Sequence, residues 1–251
     1  MKHLIRLAVL TSGIALAGCS STPLEPKDYS SFHSAAPKSI LVVPVVNHSN
    51  EVDASELFLT TMAVPLAERG YYVFPTNATT TMMNAEGLSD PGFVHQAPTP
   101  DLARLFGADA VLYVEVLDWD SNYKVVSSEI QTEFLYTLKS AKTGQVLWQD
   151  QQRYVHSTSS QSGNPLADLL ANALTSVLNN TKSDFTPMAM QANIAVLSPA
   201  GQGLPFGHRN NLSAENGKYY PATGSGKISN AQREAMSAPG VRAPEAEIES
   251  D

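Results

Sequence analysis

Three short apolar runs dominate the hydropathy pattern of the first half of the chain. Residues 40–46, 71–74 and 110–117 are rich in β-branched and aromatic side chains and are bounded by polar or turn-forming residues, which is typical of buried strands. Pro44 has no backbone donor, so the first strand either ends there or lies where that donor is not needed. The pattern therefore predicts three strands within the first 117 residues.

Helical spacing of apolar residues separates these strands. It predicts three helices, over residues 53–69 with Asp53 or Ser55 as the cap, over residues 79–86 and over residues 102–106. Pro65 predicts either a kink in the first helix or a short helix. Gly70 and Gly107 are expected to end helices, and a loop is expected around Pro91. The alternation of strand and helix predicts parallel strands joined by crossover connections.

The second half of the chain begins with an antiparallel pattern. Residues 130–138 largely alternate between polar and apolar side chains, and a turn at residues 142–144 precedes residues 146–148, which predicts a hairpin. Apolar residues at helical spacing predict helices over residues 166–178 and 185–197. The predicted fold class is therefore α/β: a three-layer-like mixed sheet with parallel βαβ units, an appended antiparallel hairpin, and helices packed on the sheet.

The N-terminal 18 residues have the layout of a secretory signal. A short basic stretch precedes an apolar run that is too short to span a bilayer as a helix. Leu16, Ala17 and Gly18 precede Cys19 in an arrangement that resembles the lipobox of bacterial lipoproteins, in which the cysteine becomes the acylated N-terminus. An ordinary secretory signal with an incidental cysteine is the alternative.

Cys19 is the only cysteine in the chain, so no intramolecular disulfide can form, and acylation explains an otherwise free thiol in an exported protein. The expected covalent groups are S-diacylglycerol and an N-acyl chain on Cys19, and no other cofactor is expected. Two or more acyl chains anchor a protein stably. Because Ser20 follows the cysteine, resemblance to known lipoproteins implies a lipid anchor in the outer membrane, with the domain facing the periplasm.

Composition divides the chain after the signal at residues 1–18. We expect a lipidated tether at 19–38, a single α/β domain at 39–198 and a largely disordered, Gly/Pro/Ala-rich tail at 199–251. Without the signal the chain carries 14 basic and 24 acidic side chains, a net charge of −10. This charge argues against a nucleic-acid partner, since such binding depends on neutralising phosphates.

Four segments together resemble a family of bacterial lipoproteins of unknown function that includes a surface lipoprotein studied as a vaccine antigen. They are ILVVPVV at residues 40–46, ERGYYVFP at 68–75, LFGADAVL at 105–112 and TGQVLW at 143–148. The resemblance covers residues 19–204. More distantly, the element order is similar to the TolB N-terminal domain, CsgG and LpoB. The resemblance implies an adaptor or assembly factor at the outer membrane and implies no enzyme, although fold-level likeness does not fix function.

No motif for a catalytic nucleophile, a zinc protease, a phosphate loop or a dinucleotide site occurs in the chain, and we predict no catalytic residue and no metal site. Two candidate binding clusters remain. Asn47 and His48 follow the first strand, where open α/β sheets place ligands. Asp118, Trp119 and Asp120 follow the third, with Trp119 as a candidate interface anchor. Each cluster is also readable as an ordinary loop or turn.

These observations support three hypotheses. The first is a non-enzymatic adaptor in an envelope assembly or export system, whose partners are the membrane and other envelope lipoproteins or proteins. The second is a module that binds a small molecule or a peptidoglycan fragment in a cleft past the first and third predicted strands. The third is a subunit of a curli-type secretion pore, for which the alternating segment around residues 130–139 could also pair with another copy of the chain.

Overall fold

The computed structural model describes residues 25–123, 128–157, 185–225 and 233–235. The predicted signal, Leu16, Ala17, Gly18 and Cys19 lie outside these ranges, as does the predicted helix at 166–178. No helix within the described ranges combines the length and apolar character needed to cross a bilayer.

The described residues contain eight α-helices, one 3₁₀ turn and seven strands. The helices are α1 (Ser30–Ala35), α2 (Ala54–Thr61), α3 (Ala63–Glu68), α4 (Thr76–Ala85), α5 (Pro91–Gln96), α6 (Thr99–Phe106), α7 (Thr186–Leu197) and α8 (Asn216–Tyr219), the last preceded by the 3₁₀ turn Ser213–Glu215. The strands are β1 (Ser39–Val42), β2 (Val46–Asn47), β3 (Tyr72–Val73), β4 (Ala110–Tyr123), β5 (Ser128–Ser140), β6 (Val146–Ser157) and β7 (Arg233–Ala235).

The strands form one mixed sheet in the order β3-β1-β4-β5-β6-β7, with β2 also paired to β4. Strands β1, β2, β3 and β4 pair in parallel, whereas β4, β5 and β6 are antiparallel. Helices α2, α3 and α7 contribute to an apolar cluster on one face, and α4, α5 and α6 contribute to a second cluster on the other. The predicted α/β class, with parallel units, an appended hairpin and helices on both faces, is confirmed.

Proline and glycine set the local boundaries near the expected positions. The first strand run breaks at Pro44 into β1 and β2. The kink or short helix predicted at Pro65 is present as a local interruption at Met62 between α2 and α3, where the backbone stays helical at φ −75° and ψ −31°, and Gly70 follows α3 at φ +95°. Pro91, expected in a loop, instead begins α5, where it needs no donor and Asp90 caps the helix.

Strand β4 is longer than expected. It was predicted to end at Leu117, before a turn at Asp118, but it continues to Tyr123. A bulge between Val116 and Asp118 shifts the register, and a bulge re-aims the side chains that follow it. Trp119 therefore points into the core and is 4% exposed.

Both ends of the domain lie beyond the expected boundaries at residues 39 and 198. Residues 25–37, expected as tether, and residues 199–225, expected as tail, pack on each other and on β6; we call them the terminal clasp. Tyr29 donates to the Gly203 carbonyl at 2.6 Å, and Arg69 donates to the Tyr220 hydroxyl at 2.6 Å. Few residues in these segments are apolar, but Tyr29, Phe32, Leu204 and Tyr220 are buried.

Candidate functional site at the carboxyl edge of the parallel strands

The loop after β2 is held by the side chain of Asn47. Its amide nitrogen donates to the Glu51 carbonyl at 2.7 Å, and its amide oxygen accepts from both the backbone and the hydroxyl of Ser49, at 2.9 and 2.6 Å. The whole amide is therefore engaged inside the loop. Asn47, a sequence-predicted binding residue, shapes the loop and leaves ligand contacts to its neighbours.

His48 is fixed at its backbone and open at its ring. Its N–H donates to the Val116 carbonyl of β4 at 2.9 Å. The ring Nε2 lies 3.3 Å from Oε2 of Glu115, and the two side chains are 53% and 32% exposed. An ion pair in this setting contributes little to stability, so both groups remain available to a partner.

A second histidine lies beneath this pair. His95, in α5, places Nε2 3.0 Å from the Pro44 carbonyl, and its ring meets Tyr113 edge-on at 5.1 Å. Because a carbonyl only accepts, Nε2 carries the proton. Burial lowers the pKa of His95, and this effect exceeds the opposing effects of the Pro44 hydrogen bond and Glu115. His95 is therefore neutral near pH 7 and is a packed, hydrogen-bonded side chain.

Tyr113 extends this cluster along the same face of β4. Its hydroxyl lies 2.9 Å from Thr99 Oγ1, and the Lys139 ammonium lies 4.7 Å from its ring centroid. Burial raises the pKa of Tyr113, so the phenol stays protonated. In the described part of the chain, no group of three or more His, Cys, Asp or Glu side chains is placed to hold a metal ion.

A groove with a cavity volume of about 420 Å³ opens beside Pro44; we call it the α2–α4 groove. It is lined by Pro44, Val45, Ser55, Glu56, Leu59, Thr60, Asn77, Thr80, Thr81 and Pro91. Helices α2 and α3, which follow β1 and β2 in the chain, pack on one face of the sheet, and α4, α5 and α6, which follow β3, pack on the other. The groove therefore lies where the chain segments that leave β1 and β3 turn toward opposite faces of the sheet. Open α/β sheets bind ligands at such positions.

The groove lies in a different place from the predicted cleft. We expected it past the first and third predicted strands, which correspond to β1 and β4, but the groove lies past β1 and β3. The strand order β3-β1-β4 explains the difference. Strand β1 lies between β3 and β4, and the chain segments that turn toward opposite faces are those that follow β1 and β3. The pattern of residues along the chain does not predict which strands lie next to β1.

In the second predicted cluster, Trp119 is a core residue. Trp119 is packed against Phe185 and Phe58, with ring centroids 5.2 and 6.3 Å away, so it cannot be an exposed anchor. Asp118 is partly buried and opposite Glu133 in the register. The side chain of Asp120 lies outside the described part of the structure.

Besides His95, sequence reasoning missed two buried charged residues, Lys27 and Asp150. They form an ion pair at 3.2 Å with side chains 1% and 0% exposed. Trp148, Asp150 and Gln152 alternate along β6 and face the core. An acidic residue at a core-facing position of a strand indicates a buried cationic partner. Asp150 occupies such a position, and this pattern could have predicted the pair.

Comparison with known proteins places the chain among lipoproteins. The family model described as "Putative lipoprotein GNA1162-like" matches residues 27–209. The curated "Putative lipoprotein NMB1124/NMB1162" of Neisseria meningitidis serogroup B is 31% identical over 175 residues, which is 70% of this chain and 81% of that protein. The crystal structure of lipoprotein GNA1162 from Neisseria meningitidis covers 57% of this chain and 100% of its own, at 28% identity and a TM-score of 0.49. The LpoB C-terminal domain from Salmonella enterica covers 47% of this chain and 84% of its own, at 21% identity and a TM-score of 0.31.

Proposed function

This chain belongs to the GNA1162-like lipoprotein family, and we propose that it is a lipid-anchored outer-membrane protein whose periplasmic domain is a non-enzymatic adaptor in envelope assembly or export. The observation that carries the proposal is a lipoprotein family match over residues 27–209, which begins eight residues after the predicted lipobox cysteine, Cys19. Ser20 after that cysteine supports outer-membrane sorting.

We use the name carboxyl edge for the site around Asn47, His48, His95, Tyr113 and Glu115. Its chemistry supports the adaptor role. Asn47 is engaged within its loop, and His95 and Tyr113 are held by Pro44 and Thr99. These contacts stabilise the edge and leave His48 and Glu115 exposed. Such an edge suits recognition of a protein surface, where exposed charges set orientation and association rate.

The test is to cross-link the native protein in membranes and recover its neighbours, with Cys19→Ala as the control for anchoring. We expect a defined set of envelope proteins that is lost in Cys19→Ala, and mass spectrometry of the wild type should show the acylated cysteine. A soluble, unacylated mature protein in cells would contradict the proposal.

The α2–α4 groove favours a second candidate, a module that binds a small molecule or a peptidoglycan fragment. Its volume of about 420 Å³ lies within the range of small-molecule sites. Thr80→Tyr would fill the groove, whereas Asn84→Tyr places the same ring at an exposed position of α4. Saturable binding of soluble muropeptides that Thr80→Tyr abolishes and Asn84→Tyr leaves intact would favour this candidate, and an absence of binding would remove it.

A further inference from the structure

The terminal clasp fixes the chain as far back as Glu25. The Glu25 carbonyl accepts a hydrogen bond from the Gln202 side-chain amide, and its carboxylate accepts one from the Ser225 hydroxyl at 2.9 Å. Two residues later, the Lys27 backbone donates to the Gly201 carbonyl at 2.8 Å. The folded domain therefore begins much closer to Cys19 than the sequence pattern indicates.

Covalent geometry limits the distance between the anchor and the fold. Six residue steps separate Cys19 from Glu25, and an extended chain spans at most about 3.5 Å per residue, or about 21 Å in all. A tether that reached residue 38 would span up to about 65 Å by the same measure. The clasp removes about two thirds of that reach.

We propose that the clasp edge of the domain, the part of the clasp around Glu25 and Ser225, is the side held toward the lipid surface. The proposal rests on acylation of Cys19, as proposed above. The partner is the bilayer that holds the anchor, because the chain between anchor and fold keeps the start of the clasp within about 21 Å of it.

The exposed basic residues Arg209 and Lys218 of the clasp are separated in sequence from Glu25 and Ser225. The exposed residues of the clasp edge beside Glu25 include Pro26, Ala222, Thr223 and Ser225, none of them basic. The short covalent connection, rather than electrostatic attraction, therefore keeps this edge near the lipid. Unlike binding through a basic patch, it is insensitive to ionic strength.

The same geometry leaves the α2–α4 groove on the far side of the sheet. Lys27, near the start of the clasp, packs on β6 through Asp150, whereas the groove lies beside β1, three strands away in the order β1-β4-β5-β6. Three interstrand spacings amount to about 14 Å. The groove therefore stays accessible to partners while the opposite edge lies near the lipid.

Fluorescence energy transfer from a dye on the protein to a labelled lipid tests whether the clasp edge lies closer to the bilayer than the α2–α4 groove does. Ser225→Cys at the clasp and Thr81→Cys on α4 each introduce a single reactive thiol, because acylation consumes that of Cys19. Each full-length acylated variant carries a donor dye and is reconstituted in phosphatidylethanolamine and phosphatidylglycerol vesicles that contain an acceptor-labelled lipid. We expect stronger transfer at residue 225 than at residue 81, at both low and high salt.

A longer connection provides the decisive variant. A Gly/Ser insertion of about 20 residues between Thr22 and Pro23 adds a root-mean-square reach of about 25 Å, and most of the excess transfer at residue 225 should disappear. The same insertion after Asp251 should change nothing. Equal transfer at the two positions, or no response to the first insertion, would overturn this inference alone. Failure of the protein to float with vesicles would overturn both this inference and the lipid anchor.

Discussion

The terminal clasp and the carboxyl edge each contain one ion pair of almost the same length. Lys27 and Asp150 lie 3.2 Å apart with side chains 1% and 0% exposed, whereas His48 and Glu115 lie 3.3 Å apart with side chains 53% and 32% exposed. Distance alone would make the two pairs equivalent. Burial makes them different, because removing one partner in the clasp leaves a charge without water.

The surroundings of the two pairs reinforce this contrast. The Lys27 ammonium also donates to the Gln149 carbonyl at 2.6 Å, and Gln152 donates to the Asp150 carboxylate at 3.0 Å. The clasp thus connects residues more than 120 positions apart in the sequence. At the carboxyl edge, a partner can replace the contact between His48 and Glu115 because both side chains reach solvent. In the clasp, breaking the contact between Lys27 and Asp150 would leave buried charges and destabilise the fold.

The largest expected effect comes from breaking the buried pair. Asp150→Ala leaves the Lys27 ammonium buried without its counter-charge, and we expect the free energy of unfolding to fall by about 3–5 kcal/mol. Urea unfolding followed by circular dichroism measures this change. The matched control replaces both partners, as Lys27→Met with Asp150→Leu, and should recover most of the loss because apolar side chains can substitute for a buried pair. A loss below about 1 kcal/mol in Asp150→Ala would mean that the pair behaves like a surface pair.

The next effect comes from crowding the clasp backbone. A Cβ at Gly224 would lie 2.2 Å from the Lys27 carbonyl oxygen and 2.5 Å from that of Pro26. Because both atoms belong to the backbone, Gly224→Ala should force the segments apart and cost about 1–3 kcal/mol. Gly217→Ala is the control, since no heavy atom lies within 4 Å of its Cβ position, and it should change stability by less than about 1 kcal/mol. Equal unfolding midpoints for the two variants would contradict close packing of the clasp.

Local patterns predicted the parts of the fold that local chemistry controls. The interruption before Pro65, the stop at Gly70 and the hairpin that follows β4 were all expected from turn chemistry and hydrophobic period. The clasp was not expected, because its contacts are few, polar and distant in sequence. Tyr29 and Gly203, for example, are 174 positions apart.

The candidate site was predictable only in part. Residues at the carboxyl edge were expected, and His48 is there with its ring exposed. Trp119 was placed wrongly because a bulge changes which side chains face the core and leaves little trace in the pattern of residues. His95 was missed as part of this edge, since α5 begins at a proline in a segment that suggested a loop.

A smaller effect is expected from pH. Burial lowers the pKa of His95 below its ordinary value of 6.5, so the unfolded chain binds a proton more readily than the folded one. Stability is therefore fully present above pH 6.5 and declines as the pH falls from 6.5 toward the folded pKa. Urea midpoints between pH 7.5 and 5.5 should decline less in His95→Gln, whose amide can still donate to Pro44, than in the wild type. Identical pH profiles would show that His95 does not titrate differently on folding.

The smallest effect belongs to the exposed pair. His48→Gln and Glu115→Gln, combined in a double-mutant cycle, should show a coupling below about 1 kcal/mol that salt reduces further. A coupling above about 2 kcal/mol would place this pair with the buried one and remove the contrast between the two regions. Because the fold is expected to tolerate these changes, any loss of envelope proteins from the cross-linked complex of His48→Gln can be assigned to recognition at the carboxyl edge. The same loss in Asp150→Ala would have no such meaning, since lower stability alone can reduce the recovery of partners.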